Sequence, residues 1–116
     1  MLPELHRQCY AQFRQELSSL VQQMTDVELS TTSLVAASQQ LEWFFRERVS
    51  ALDELTGVDA HRSQAYQVEM DKQLRLLAVD VMFLKAAKQS VKQQQRLAAV
   101  RQRLHTLIGY CDALLS

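Results

Sequence analysis

The sequence predicts an all-α protein, an antiparallel bundle of about four helices, on three observations. The 116 residues include no Asn, two Gly and one Pro but fifteen Gln, so turn formers are scarce and straight-chain helix formers abundant. Apolar residues make up 47% of the chain, enough for one hydrophobic core in a single domain over residues 1–116. They recur at spacings of three and four along successive segments, which is the period of amphipathic helices.

The first segment predicts a helix that starts near Pro3, because proline is tolerated in a first helical turn. Thr25 and Glu28 form a capping box, which predicts that a second helix begins with Thr25 as its N-cap. The three-four spacing nevertheless continues to Phe45, so a single fused helix of about fifty residues is the alternative. The apolar seam of the first helix is Leu5, Cys9, Phe13, Leu17, Leu20 and Met24.

A turn at Gly57 separates the second helix from the third. Gly57 fits the position just past a helix, and Asp59 fits the N-cap of the next one. The third helix is predicted from about Ala60 to Gln89. Its inward seam is Met70, Leu74, Leu77, Val81 and Leu84.

The fourth helix begins at a second capping box, formed by Ser90 and Gln93. Its apolar heptad is Leu97, Val100, Leu104, Leu107, Cys111 and Leu114. Short connections between the four helices predict an up-down-up-down order, which brings Cys9 and Cys111 into neighbouring layers. We expect both cysteines to be buried thiols rather than a disulfide.

The segment Leu76–Ala87, LLAVDVMFLKAA, is apolar on every side of the third helix. One bundle can bury its inward seam but not the opposite arc of Val79, Met82, Phe83 and Ala86. We therefore expect an exposed patch that contacts another surface, either a second copy in a homodimer or another protein. The alternative is a central third helix whose arc is covered within its own chain.

Charge is segregated along the chain although the net charge is zero. Residues 1–80 hold twelve acids and seven bases, whereas residues 81–111 hold six bases and no acid. This basic stretch can meet an acidic protein, anionic lipid or nucleic acid, or can be a solvated face. No aromatic residues alternate with its charges, which disfavours nucleic acid. The bases are Lys85, Lys88, Lys92, Arg96, Arg101 and Arg103.

No catalytic constellation is visible in the sequence. His6, His61 and His105 are isolated, without the spacing that holds metal ions on helices, and there is no glycine-rich phosphate loop. We expect no enzyme activity, no cofactor and no metal. No apolar run approaches the roughly 20 residues of a membrane span, and the N-terminus lacks a signal peptide pattern, so we expect a cytoplasmic protein.

Two further residues are candidates for recognition. Trp43 falls on the polar side of its helix, in line with Gln40 and Glu47, where it could anchor a partner or lie flat over neighbouring helices. Asp80 interrupts the apolar segment and has no partner four residues away. A structural ion pair with a basic residue of another helix or chain is expected first, and a charge that binds a partner second.

The chain resembles the cyanobacterial heterocyst frequency control protein PatD family. The resemblance lies in residues 66–115, in YQVEMDKQLRLLAVDVMFLKAAKQ and RLHTLIGYCDALL. It implies an adaptor that tunes heterocyst differentiation and contacts the division protein FtsZ, with cell division as the broader role. A nucleic-acid regulator that uses the basic stripe of residues 85–103 is the alternative. The predicted partner-binding residues are Val79, Asp80, Met82, Phe83, Ala86, Trp43, Lys85, Lys88, Lys92 and Arg96.

Overall fold

Four α-helices make up the fold of the computed structural model, which describes residues 2–26, 30–52 and 57–116. Helix α2 continues directly into a short π-helix, and no described residue lies in a β-strand. The predicted all-α class is therefore confirmed. The elements are α1 (Glu4–Asp26), α2 (Thr31–Phe44), the π-helix (Phe45–Val49), α3 (Val58–Ala86) and α4 (Ser90–Leu115).

The helices form an antiparallel bundle. At one end the Arg7 guanidinium donates to the Leu115 carbonyl at 3.4 Å, and at the other Arg101 donates to the Met24 carbonyl at 3.5 Å. These two contacts make α1 and α4 antiparallel. Helix α2 packs between α1 and α3, and α3 packs against α4, so each helix contacts its neighbours in the chain and α1 closes the ring with α4. The predicted up-down-up-down order is present.

A break separates α1 from α2, so the fused-helix alternative is wrong. The predicted N-cap is also wrong, because Thr25 lies inside α1 and its hydroxyl donates to the Val21 carbonyl at 3.0 Å. Ser30 caps α2 instead: its backbone is extended and its Oγ accepts from the Ser33 amide at 3.1 Å. A Ser or Thr hydroxyl can cap the start of a helix or can bond to a carbonyl one turn earlier inside a helix. The sequence alone therefore does not decide whether Thr25 or Ser30 is the N-cap. Glu28 lies outside the described residues.

Gly57 immediately precedes α3 and has a φ of 71°, a left-handed conformation that glycine adopts without strain. The predicted turn is present there. Asp59 is not the N-cap, however, since α3 already begins at Val58 and Asp59 lies in its first turn. A carboxylate is favoured by the helix dipole in the first turn as well as at the cap, which explains the error.

Helix α4 begins one residue earlier than the capping box predicts. Gln89 is the N-cap, with a ψ of 136°, and Ser90 is the first helical residue. The side-chain amide nitrogen of Gln93, Nε2, donates to the Ala87 carbonyl at 3.0 Å and does not take part in the predicted capping box with Ser90. The three-residue connection from α3 to α4 is tight enough for this side chain to bond to the end of the preceding helix.

The π-helix orients two consecutive phenylalanines toward the core. Phe44 and Phe45 are both buried, and the Phe13 ring of α1 stacks on Phe44 with a centroid distance of 5.7 Å. Its contact with Phe45 is tilted, at 6.2 Å. The wider winding of a π-helix changes the direction of successive side chains. Both rings therefore face the core, and the π-helix that places them is not evident from the spacing of apolar residues.

Helix α1 buries a different face at its start from the one predicted. Leu5, assigned to the seam, is 62% exposed, whereas His6 and Tyr10 are buried. The Tyr10 hydroxyl accepts from the Gln67 amide of α3 at 2.8 Å, which satisfies a polar group in the core. Because α3 provides that bond, the inward face can include a tyrosine that a purely apolar pattern omits. The predicted seams of α3 and α4 are buried, except for the half-buried Leu97.

Candidate interaction surface on α3 and α4

The outward arc of α3 is exposed, as predicted. Val79 is 47%, Met82 61% and Phe83 50% exposed, and Ala86 is also exposed. Helices α2 and α4 flank α3, and α1 lies across the bundle, so no element of the described chain covers this arc. The alternative in which the chain covers the arc internally is wrong.

Three residues of the exposed arc, Val79, Met82 and Ala86, belong to a longer stripe along α3, and Phe83 lies beside that stripe. Eight exposed residues recur at alternating spacings of four and three, the repeat of a coiled-coil seam. We call this stripe the outer seam of α3. Val68, which is 60% exposed, extends its apolar content by about three turns beyond the predicted patch. Val68 was not among the predicted residues, although its spacing of eleven residues from Val79 follows the same alternation of four and three. The outer seam comprises His61, Ala65, Val68, Lys72, Arg75, Val79, Met82 and Ala86.

The C-terminal end of α3 and the N-terminal end of α4 form a tip, in which no residue from Lys85 to Ala99 is buried. Arg101 bonds to Met24 near the end of α1, and roughly 16 Å of helix separates Ser90 from Arg101. The first turns of α4 therefore extend past α1. We call residues 85–99 the basic tip. It contains Lys85, Lys88, Lys92 and Arg96 and no acid.

A cation-π contact joins the basic tip to the outer arc. The Arg96 guanidinium lies over the Phe83 ring at 4.4 Å from its centroid. Such a contact restricts both side chains while leaving the ring edge accessible. Phe83 therefore presents apolar surface with a positive charge fixed beside it.

Asp80 forms the predicted ion pair with another helix. Its carboxylate accepts from Arg103 Nε at 3.0 Å, and its side chain is only 10% exposed. Arg103 also donates to the Gln73 amide oxygen at 3.3 Å. The charges of Asp80 and Arg103 therefore pair with each other where α3 packs against α4. Asp80 does not belong to the exposed arc, and Arg103 contributes little to the basic stripe.

Trp43 is 47% exposed and lies on α2, apart from the exposed arc of α3 and the basic tip. The adjacent Glu42 lines a groove with Phe45 of the π-helix and with Asp71, Leu74 and Arg75 of α3. That level is about two to three helical turns from Met82 along α3. The predicted partner-binding residues therefore divide into one continuous group on α3 and α4, the separate Trp43, and the internally paired Asp80.

Both cysteines are buried free thiols. Burial raises the pKa of the Cys111 thiol to about 12. Burial also raises the pKa of the Cys9 thiol, although the positive charge of the nearby Arg48 partly offsets this increase. Both thiols lie close enough to Tyr10 to influence its pKa, as neighbouring layers require. A thiol held neutral by burial is a poor nucleophile.

The groove between α1 and the π-helix has a volume of about 250 Å³ and exposes side chains of both charges. Arg48 and Glu47 line it together with Leu5, Cys9 and Leu52. None of the described residues that line this groove is a histidine. Within residues 2–26, 30–52 and 57–116, no cluster of three metal-ligating side chains occurs.

The described geometry is that of a helical bundle with an exposed apolar seam beside a basic tip. None of its described helices is both long enough and apolar enough to cross a membrane. No protein-family model, curated protein or solved structure matches the chain.

Proposed function

We propose that the protein is a non-enzymatic adaptor that binds another protein through the exposed arc of α3 (Val79, Met82, Phe83 and Ala86) and the basic tip. The exposure of Val79, Met82 and Phe83 carries this proposal, because these large apolar side chains lie within two turns of one helix. Contiguous apolar surface on a folded chain is typical of contact sites. A mixed apolar and basic surface suits a partner with acidic residues around an apolar centre.

The resemblance to PatD proteins suggests the division protein FtsZ as that partner. An adaptor of this kind acts in the cytoplasm, and in a heterocyst-forming cyanobacterium it would tune heterocyst frequency. The proposed chemistry is reversible binding, without a catalytic residue, cofactor or metal ion.

Titration of purified FtsZ into the labelled protein tests the proposal. Phe83→Asp should weaken binding at least tenfold, because it places a charge in the apolar arc. Trp43→Asp is the matched control, since Trp43 is equally exposed on another part of the bundle and its replacement should leave binding unchanged. Binding of Phe83→Asp with wild-type affinity would reject the surface, and no binding by the wild type would reject FtsZ.

A nucleic-acid regulator is the second candidate, favoured by the absence of acids from the basic tip. Arg96 of the basic tip already occupies one face of the Phe83 ring, which leaves little of that ring for base stacking. Replacing Lys88, Lys92 and Arg96 with Glu should preserve the fold. Tight binding of duplex DNA or RNA by the wild type, lost steeply with added salt, would favour this candidate over the adaptor.

A further inference from the structure

Charge is distributed unevenly along α3. Residues 58–71 contain the acids Asp59, Glu69 and Asp71 and one base, Arg62. Residues 72–86 contain the bases Lys72, Arg75 and Lys85 and one acid, Asp80, which Arg103 neutralises. An ion pair joins Asp71 to Arg75 across the two halves, and the remaining charges leave the first half net acidic and the second half net basic. Two copies of α3 laid antiparallel place opposite charges beside each other.

The outer seam of α3 is self-complementary in this antiparallel arrangement. If two copies are aligned about a two-fold axis near Ala78, Val68 lies opposite Ala86 and Val79 lies opposite Arg75. Lys72 then lies opposite Met82, so its long apolar stem can cover that side chain while its amine reaches water. No pair of identical charges meets at the centre of this contact.

The residues that flank the seam complete the match. In this antiparallel alignment the residues directly before Lys72, Val79 and Ala86 flank the seam and approach the equivalent positions of the partner helix. Asp71 and Lys85 occupy two such positions. Lys85 is exposed, and the Asp71 carboxylate, which is ion-paired with Arg75 of its own helix at 2.8 Å, is still half exposed. The arrangement brings Asp71 of one chain beside Lys85 of the other. A parallel alignment instead opposes Lys72 to Lys72 and Arg75 to Arg75, which is unfavourable.

We propose that the outer seam of α3 binds the same seam of a second copy of this chain, with the two helices antiparallel. This inference rests on the proposed function, because the same surface acts by protein contact. The two-fold contact closes on itself, so it yields a dimer rather than a filament. Phe83 on α3 and Val91 and Lys92 on α4 lie outside the paired seam and remain available to the partner of the proposed function.

Thiol crosslinking tests the alignment. Ala78→Cys places a thiol beside its own copy across the two-fold axis, so a short bismaleimide should link most chains as dimers. Val68→Cys is the matched control, since antiparallel pairing separates its two copies by roughly 27 Å along the helices. An equimolar mixture of Val68→Cys and Ala86→Cys chains should crosslink. Unmodified protein controls for the buried Cys9 and Cys111.

The outcomes separate this inference from the proposed function. Crosslinking of both single variants, Ala78→Cys and Val68→Cys, would indicate parallel pairing. Crosslinking of neither variant would indicate that the seams do not pair. Either result would overturn the inference. Light scattering over a dilution series should show a dimer whose dissociation constant rises at least tenfold in Val79→Asp, with helicity unchanged. A strict monomer that still binds FtsZ in a Phe83-dependent manner would reject the dimer alone.

Discussion

Burial controls the chemistry of the Cys111 thiol. Its folded-state pKa is raised from 9.0 to about 12, whereas the unfolded thiol ionises near the lower value. Above pH 9 the unfolded chain therefore binds fewer protons than the folded chain. The free energy of unfolding should fall as pH rises through this window, by at most about 1.4 kcal/mol per pH unit from this group. Below pH 9 the contribution is constant.

Comparison of the wild type with Cys111→Ala isolates this contribution from those of Cys9 and Tyr10. Chemical denaturation at pH 7 and pH 10 should show a stability difference between the two proteins that shrinks by about 1 kcal/mol at the higher pH. Parallel pH profiles for the two proteins would contradict the assignment of this thiol as buried.

The Asp80–Arg103 pair should respond unequally to loss of its two partners. Arg103→Ala leaves a buried carboxylate without its cation and should lower the free energy of unfolding by about 3 kcal/mol. Asp80→Ala should cost only about 1 kcal/mol, because the Arg103 side chain is 31% exposed and can turn toward water. Urea denaturation of both single variants and the double variant measures this, and the double variant should be more stable than Arg103→Ala. Equal losses in the single variants would contradict this account.

Among the helical elements, sequence located the breaks but not the residues that cap them. The stretch from Thr25 to Ser33 contains five hydroxyl side chains, and each has the chemistry of an N-cap. The choice of Ser30 depends on where α2 must begin for Leu34 and Leu41 to face the core. Position relative to the neighbouring helices, rather than local preference, therefore selects the cap.

Alanine substitutions distinguish the observed caps from the predicted ones. Ser30→Ala removes the bond to the Ser33 amide and should cost about 1 kcal/mol of stability. Thr25→Ala and Ser90→Ala remove hydroxyls that do not cap a helix in the structure, so each should change stability by less than about 0.5 kcal/mol. Thermal or urea denaturation gives the comparison, and a loss at Ser90 as large as that at Ser30 would contradict the observed start of α4.

At the scale of the whole molecule, α3 has two seams with different roles. Leu77 of the inner seam is 1% exposed, whereas Val79 of the outer seam is 47% exposed. Leu77→Ala should therefore cost about 2–5 kcal/mol of monomer stability, and Val79→Ala less than about 1 kcal/mol. Denaturation at low protein concentration, where the chain is monomeric, measures both. A large loss from Val79→Ala would mean that the monomer itself uses the outer seam.

The sequence by itself determined the helical class, the inner seams of α3 and α4 and the exposed arc at Val79 to Ala86, because helical periodicity is a local property of the chain. The tertiary structure decided what depends on neighbouring helices. The Gln67 side-chain amide donates a hydrogen bond to the Tyr10 hydroxyl, which lets α1 bury Tyr10 rather than Leu5. The position of α4 along α3 pairs Arg103 with Asp80. The end of α1 near Arg101 leaves the basic tip uncovered. Helix spacing cannot reveal these features, because they follow from how far each helix extends along its neighbours.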